Sequence, residues 1–282
     1  MISQTLLYAP NPVWIIANKE FKDSLRNRWV SVITFIMMLL SFSVTFAGSA
    51  ITGELALPSL VSLITSLSTM AVFIIPLAAI LLSYDAFVGE EEAGTMLLLL
   101  SYPLTKQQIF IGKLIAHSGI MIAAICVAFG CSAVSMLLWA DNVAWQQVIA
   151  AFSQFILSSS LLAVTFILMS YFVSLKVSEK ARAVGTLLSL WFLLVLVYDL
   201  LLLALLVADL GSSSQALVNL LMALNPTDIY RAINLLAIES QMGSLSMLAK
   251  TTWGSELLYG LSLLWLLMLA ILSLSVFKRK FI

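Results

Sequence analysis

One histidine, two cysteines and a charged fraction of 10% leave this 282-residue sequence short of the side chains that most enzymes work with. His117 stands alone, so no HExxH zinc motif can be assembled, and no GxSxG elbow accompanies it. Cys126 and Cys131 fall inside one apolar run and supply neither a disulfide framework nor a CxxC pair; they read as small packed hydrophobes. His117 precedes them by offsets that do not place three metal ligands on one helical face. The twelve methionines, Met222, Met242 and Met247 among them, are spaced irregularly and fit apolar packing better than soft-metal coordination. No catalytic residue and no metal site is assigned. Fourteen basic residues balance fourteen acidic ones without a basic stripe, which argues against nucleic acid as a partner. Gly89 and Gly94 have the spacing of a phosphate-binding loop, but Thr95-Met96 stands where its lysine belongs and three glutamates would face the phosphate. Any ATP, with its Mg, is therefore expected on another polypeptide, and this chain is expected to hold no cofactor.

What the chain has is apolar length. Hydrophobic residues make up 62% of it and its mean hydropathy is +1.08. A hydrocarbon core of about 30 Å needs roughly 20 residues of helix. Six runs qualify, at approximately 29–50, 61–82, 114–140, 148–175, 183–208 and 257–277, and only the fifth holds a charge. Continuous runs without alternation exclude barrel strands, so the fold class is all-α: one polytopic membrane domain of six transmembrane helices. With both termini cytoplasmic, twelve of the fourteen basic residues lie inside and only Arg231 and Lys250 outside, the distribution expected at an inner membrane. Trp29, Trp139, Trp145 and Trp253 mark span ends. The charged first 28 residues, with no short apolar run and cleavage site, read as retained.

Four segments can carry function. The start, 1–28, contains a helix from Asn11, its cap, through Arg28, with Val13, Ala17, Phe21, Ser24 and Leu25 on the face laid against the membrane. The inner loop 84–113 reads as a helix through Glu90 to Leu100, ended by Pro103, whose Met96–Leu100 turn is too short to span and must be covered by another protein or by the chain itself. In the fifth span, Asp199 beside Tyr198 is either a polar lining or cation contact facing the bundle interior, or else a carboxyl bonded to a neighbouring helix or the sign of a span that ends earlier. The outer loop 209–256 begins a helix at Asn225-Pro226, with Asp228 in its first turn and Ile229, Ile233 and Leu236 on one face; Asp228 and Arg231 are expected to form only a minor surface ion pair.

Six spans, the basic amphipathic start, Gly89-Glu90-Glu91-Glu92-Ala93-Gly94-Thr95, Ser101-Tyr102-Pro103-Leu104-Thr105-Lys106 and Gly112-Lys113 together resemble the ABC-2 type transporter permeases. That resemblance covers the whole chain. It implies cytoplasmic coupling helices docked on an ATPase through Glu90, Glu91, Glu92, Gly94, Thr95, Leu97 and Leu98, with Lys176, Glu179 and Lys180 as a second contact. The Asn225-Pro226-x-Asp228-x-Tyr230-Arg231 segment is further similar to the branch of that family serving nitrous oxide reductase maturation. That likeness implies a second copy of the chain, a dimer of NosF-type ATPases, a periplasmic NosD-type protein held by Asn225, Pro226, Asp228, Tyr230 and Arg231, and a copper chaperone. The leading expectation is a permease subunit coupling ATP hydrolysis elsewhere to copper-site maturation outside. The alternatives are a membrane scaffold through which no cargo passes and an exporter of another substrate; an intramembrane enzyme fits least.

Overall fold

A computed structural model describes residues 11–26, 28–52, 57–140, 143–207, 212–242 and 253–280. Among them there is no strand, and six helices are long and apolar enough to cross a membrane. The helices are α1 (Pro12–Arg26), α2 (Arg28–Thr52), α3 (Leu60–Ser83), α4 (Val88–Glu92), α5 (Thr95–Ser101), α6 (Lys106–Trp139), α7 (Trp145–Lys176), α8 (Lys180–Phe192), α9 (Tyr198–Val207), α10 (Ser212–Leu224), α11 (Pro226–Met242) and α12 (Ser255–Arg279). The spans are α2, α3, α6, α7, α8 with α9, and α12. Spans two, three and four form the packed centre, whereas spans one, five and six are peripheral: 72% of the fourth span's apolar window is buried against 11% of the fifth's.

The third span begins earlier than its apolar run. Thr105 accepts from the Gln108 amide and Gln108 returns a bond to the Thr105 amide, a capping box that starts α6 at Lys106 instead of near 114. At 34 residues α6 is about 51 Å long, more than the bilayer core requires. The surplus carries Lys106 and Lys113 to the face where both ends of the described chain lie, called here the basic face. Lys106 Nζ there donates to the carbonyls of Lys278 and Lys280 and closes the end of α12.

Helix α1 starts as expected, with Asn11 Oδ1 accepting the Val13 amide, and packs on α6. Ile16 and Ala17 are buried against α6, while Phe21 and Leu25, expected on the face laid against the membrane, are not packed on the protein and are 38% and 52% exposed. Gly112 causes the close approach: a Cβ there would sit 2.8 Å from Ile16 Cβ. Between α2 and α6, Ser41, Thr45 and Ser132 share hydroxyl hydrogen bonds within the apolar zone.

The fifth span is not one regular helix. Leu193–Val197 form a π-turn between α8 and α9, which leaves the Leu194 carbonyl to accept from the Asn225 side-chain amide at 2.8 Å and the Thr227 hydroxyl at 3.2 Å. Asn225 is the turn between α10 and α11. The stretch expected as an outer loop therefore folds back as a helical hairpin whose tip meets span five about 20 Å from its far end, counted from Leu194 to Val207. Tyr198 donates to the Leu221 carbonyl and Trp265 to that of Ala223, fixing α10 from two sides. Ile229 and Ile233 are buried and Leu236 packs beside them, with Met222 and Leu258, as their spacing indicated. Met247 lies outside the described residues.

Candidate functional site

The loop between α3 and α6 is an elbow on the basic face. One helix through Glu90 to Leu100 was expected; two short ones form, because Gly94 adopts φ +69° and breaks the backbone between them. Only a residue without Cβ enters that left-handed region at no steric cost. Ser174 of α7 accepts the amides of Phe87 and Val88 and so caps α4. Phe87 is locked among Phe110, Tyr171 and Phe277, with centroids 5.0 Å from Phe277 and 5.1 Å from Tyr171. Tyr171 in turn bonds His117 Nδ1 at 2.7 Å, which gives the lone histidine a packing role.

Two of the three successive glutamates, Glu90 and Glu91, turn toward the bundle, while Glu92 stays exposed. Glu90 meets Lys113 of α6 at 2.7 Å, Glu91 pairs with Lys280 beyond α12, and Glu92 approaches Lys180 at the start of α8 at 4.0 Å. One short helix is thereby tied to spans three, six and five. Lys113 is 2% exposed and also bonds Glu20 of α1 at 3.0 Å. A buried ammonium needs such compensation, and two carboxylates with the Phe87 ring 5.8 Å away provide it. Burial acts to raise the Glu20 carboxyl, but Lys113 and Lys19 beside it outweigh burial and hold it below the ordinary 4.5.

Beyond Gly94 the chain is partly exposed. Met96 is buried and Leu99 and Leu100 pack on the core, so the apolar run covers itself in part; Leu97 and Leu98 remain 61% and 62% exposed. Thr95 donates to the Glu90 carbonyl. Lys176 is exposed over Phe172, Glu179 pairs with Arg182, and the Lys180–Glu92 approach brings this second loop against the elbow.

On the far side, Asp199 and Asp228 share Arg231, with the Asp228 contact at 3.1 Å. Asp228 is 5% exposed, so this is a part-buried triad and not the minor surface pair expected. Asn225, Asp228 and Tyr230 are buried, Pro226 with them, and Arg231 is largely covered. These five residues anchor α11 within the bundle and present little surface. Asp199 meets the second of its two sequence readings, a carboxyl held by a neighbouring helix. Cys126 is exposed on the outside of α6 instead of packed, and among the described residues no three His, Cys, Asp or Glu side chains converge as a metal site.

Glu20, Lys280 and Ser174 were not singled out from sequence, and Lys113 was noted only within the Gly112-Lys113 motif, without its partners. The Thr105–Gln108 capping pattern was the available signal for Lys113, since it places that residue two turns inside a helix.

A family model described as ABC-2 family transporter protein matches residues 14–281. A protein of Stutzerimonas stutzeri named "Probable ABC transporter permease protein NosY" is 42% identical over 276 residues, covering 96% of this chain and 99% of that one. Its namesake from Pseudomonas aeruginosa is 44% identical over 223 residues, 79% of this chain and 81% of that protein.

Proposed function

The chain belongs to the ABC-2 transporter family, and from that premise we propose that it carries the motion of separate ATPase subunits from the elbow on one face to the α10–α11 hairpin on the other. It is a multi-pass permease subunit of an ABC transporter and is not itself the ATPase. The basic face is cytoplasmic in this reading and the membrane is the inner one, which the clustering of lysine and arginine supports. Leu97 and Leu98, with Gly94 and Thr95 at the bend and Lys176 and Glu179 beside it, form the surface on which an ATPase dimer holding ATP and Mg docks.

One observation carries the reading. The residues before Gly94 are tied by Glu90, Glu91 and Glu92 to three spans, while those after it expose two leucines. A push on the leucines thus reaches spans three, five and six together. Span five then meets the hairpin through the Leu194 carbonyl and Asp199.

The likeness to permeases named NosY extends the proposal to a second copy, NosF-type ATPases, a NosD-type periplasmic protein and a copper chaperone, acting in copper-site maturation of nitrous oxide reductase. Mechanical transmission without cargo crossing the core is a second reading, supported by the hairpin lodged among α3, α7 and α12. Coexpression of the chain with its ATPase tests the docking surface. Leu97→Asp with Leu98→Asp should abolish copurification while leaving thermal stability unchanged, and undiminished copurification overturns the assignment.

A further inference from the structure

A cavity of about 560 Å³ lies beside Lys113, between α1 and the basic-face ends of spans one, two, three and five. Its floor is apolar, made by Ile33, Leu81, Leu82, Ile120, Met121 and Ala124. Its rim is charged with both signs: Glu20, Asp23, Asp85 and Glu90 against Lys19, Lys113 and Lys180. Lys113 is consumed by Glu20 and Glu90 Oε1, but Glu90 Oε2 is buried and has no hydrogen-bond partner. An orphaned carboxylate oxygen in a low-dielectric site calls for a donor. Asp85 Cβ and Lys180 Cε each lie 3.2 Å from where a Gly89 Cβ would be, and both residues line the cavity, so a carboxylate and an ammonium border the same opening. Lys19 is 58% exposed and Lys180 44% exposed along their side chains, which leaves both reachable.

We propose that this cavity seats the headgroup of a zwitterionic aminophospholipid from the leaflet on the basic face, its ammonium on Glu90 Oε2 and Asp85 and its phosphate against Lys180 and Lys19. The volume lies within the range of pockets that hold small molecules and accepts a headgroup with its glycerol. The acyl chains leave along the apolar floor, past Leu81, which is 39% exposed, into the bilayer. Headgroup chemistry selects the lipid class. A choline head is methylated at nitrogen and has no N–H for the orphaned oxygen. An anionic glycerol head meets a rim with one carboxylate more than ammonium groups. A water-soluble cation leaves the apolar floor unused.

Native mass spectrometry of the full-length chain, released from nanodiscs of equal phosphatidylethanolamine, phosphatidylcholine and phosphatidylglycerol, tests this without any variant. Phosphatidylethanolamine should be retained about tenfold over each of the others, the scale of one charge-assisted hydrogen bond. Asp85→Asn and Glu90→Gln should each lower that preference, and Ala124→Phe, which fills the floor, should displace the lipid. Equal retention of the three lipids overturns the proposal, as does a preference for phosphatidylglycerol. A dimer that retains no lipid, its cavity filled by the second copy, overturns it too.

Discussion

Lys113→Met removes the ammonium shared by Glu20 and Glu90 while keeping an unbranched side chain of similar length. Removing one partner of a buried ion pair costs about 3–5 kcal/mol, because the carboxylates left behind stay desolvated. Here Lys113 is 2% exposed, but Glu20 and Glu90 keep 13% and 18% of their side-chain surface, so water relieves part of the penalty. The expected loss is therefore at the lower end, about 3 kcal/mol. Thermal unfolding of the full chain in one detergent reads it. Adding Glu20→Gln and Glu90→Gln should return most of the loss, since neither amide needs a cation. The sign of the pH dependence follows from Glu20, whose carboxyl is held below 4.5 in the fold. Its contribution is complete above that value and lost as pH falls through the folded-state value, so acid should destabilise the native chain more steeply than the Lys113→Met variant. A Lys113→Met chain that melts with the native one, or a triple variant no more stable than the single, would refute the shared-ammonium account.

Three further outcomes test other contacts. Glu91→Lys should weaken copurification with the ATPase by setting two ammonium groups together, and adding Lys280→Glu should restore it; no recovery in the swap removes that tether from the mechanism. Gly94→Val should cost about 1–2 kcal/mol from the left-handed backbone alone and make the elbow more susceptible to limited proteolysis, with unchanged cleavage as the contrary result. Arg231→Met should destabilise more than Asp199→Asn, because the first leaves two facing carboxylates and the second leaves Asp228 still paired; equal melting temperatures would count against the triad.

The six spans were legible because a bilayer demands length and apolarity, both of which are local properties. The Asn225-Pro226 helix start was legible for the same reason, since a cap involves residues two or three apart. The destinations of the glutamates were not, because their partners lie 23 residues away for Lys113 and 189 for Lys280, and a charge run alone reads as a solvated face. The face of α1 that meets α6 was not legible, because a bare Gly112 opposite Ile16 and a charge partner for Glu20, both distant in sequence, set its rotation. Asp199 stood out from sequence as a charge in a span, but its partner came from a hairpin that no local signal placed at that depth.

The π-turn at Leu193–Val197 gives the fifth span a phase as well as a length. Each residue added to or removed from a helix turns everything beyond it by about 100°. Deleting one residue within that turn would restore regular helix at almost unchanged length while rotating α9 against α8. Asp199 would then swing away from Arg231, and the Asn225 amide would find the Leu194 carbonyl already taken within its own helix. Among related chains, insertions and deletions should therefore be tolerated in the connections between helices and excluded from these five positions, where a single residue keeps two faces of the molecule in register.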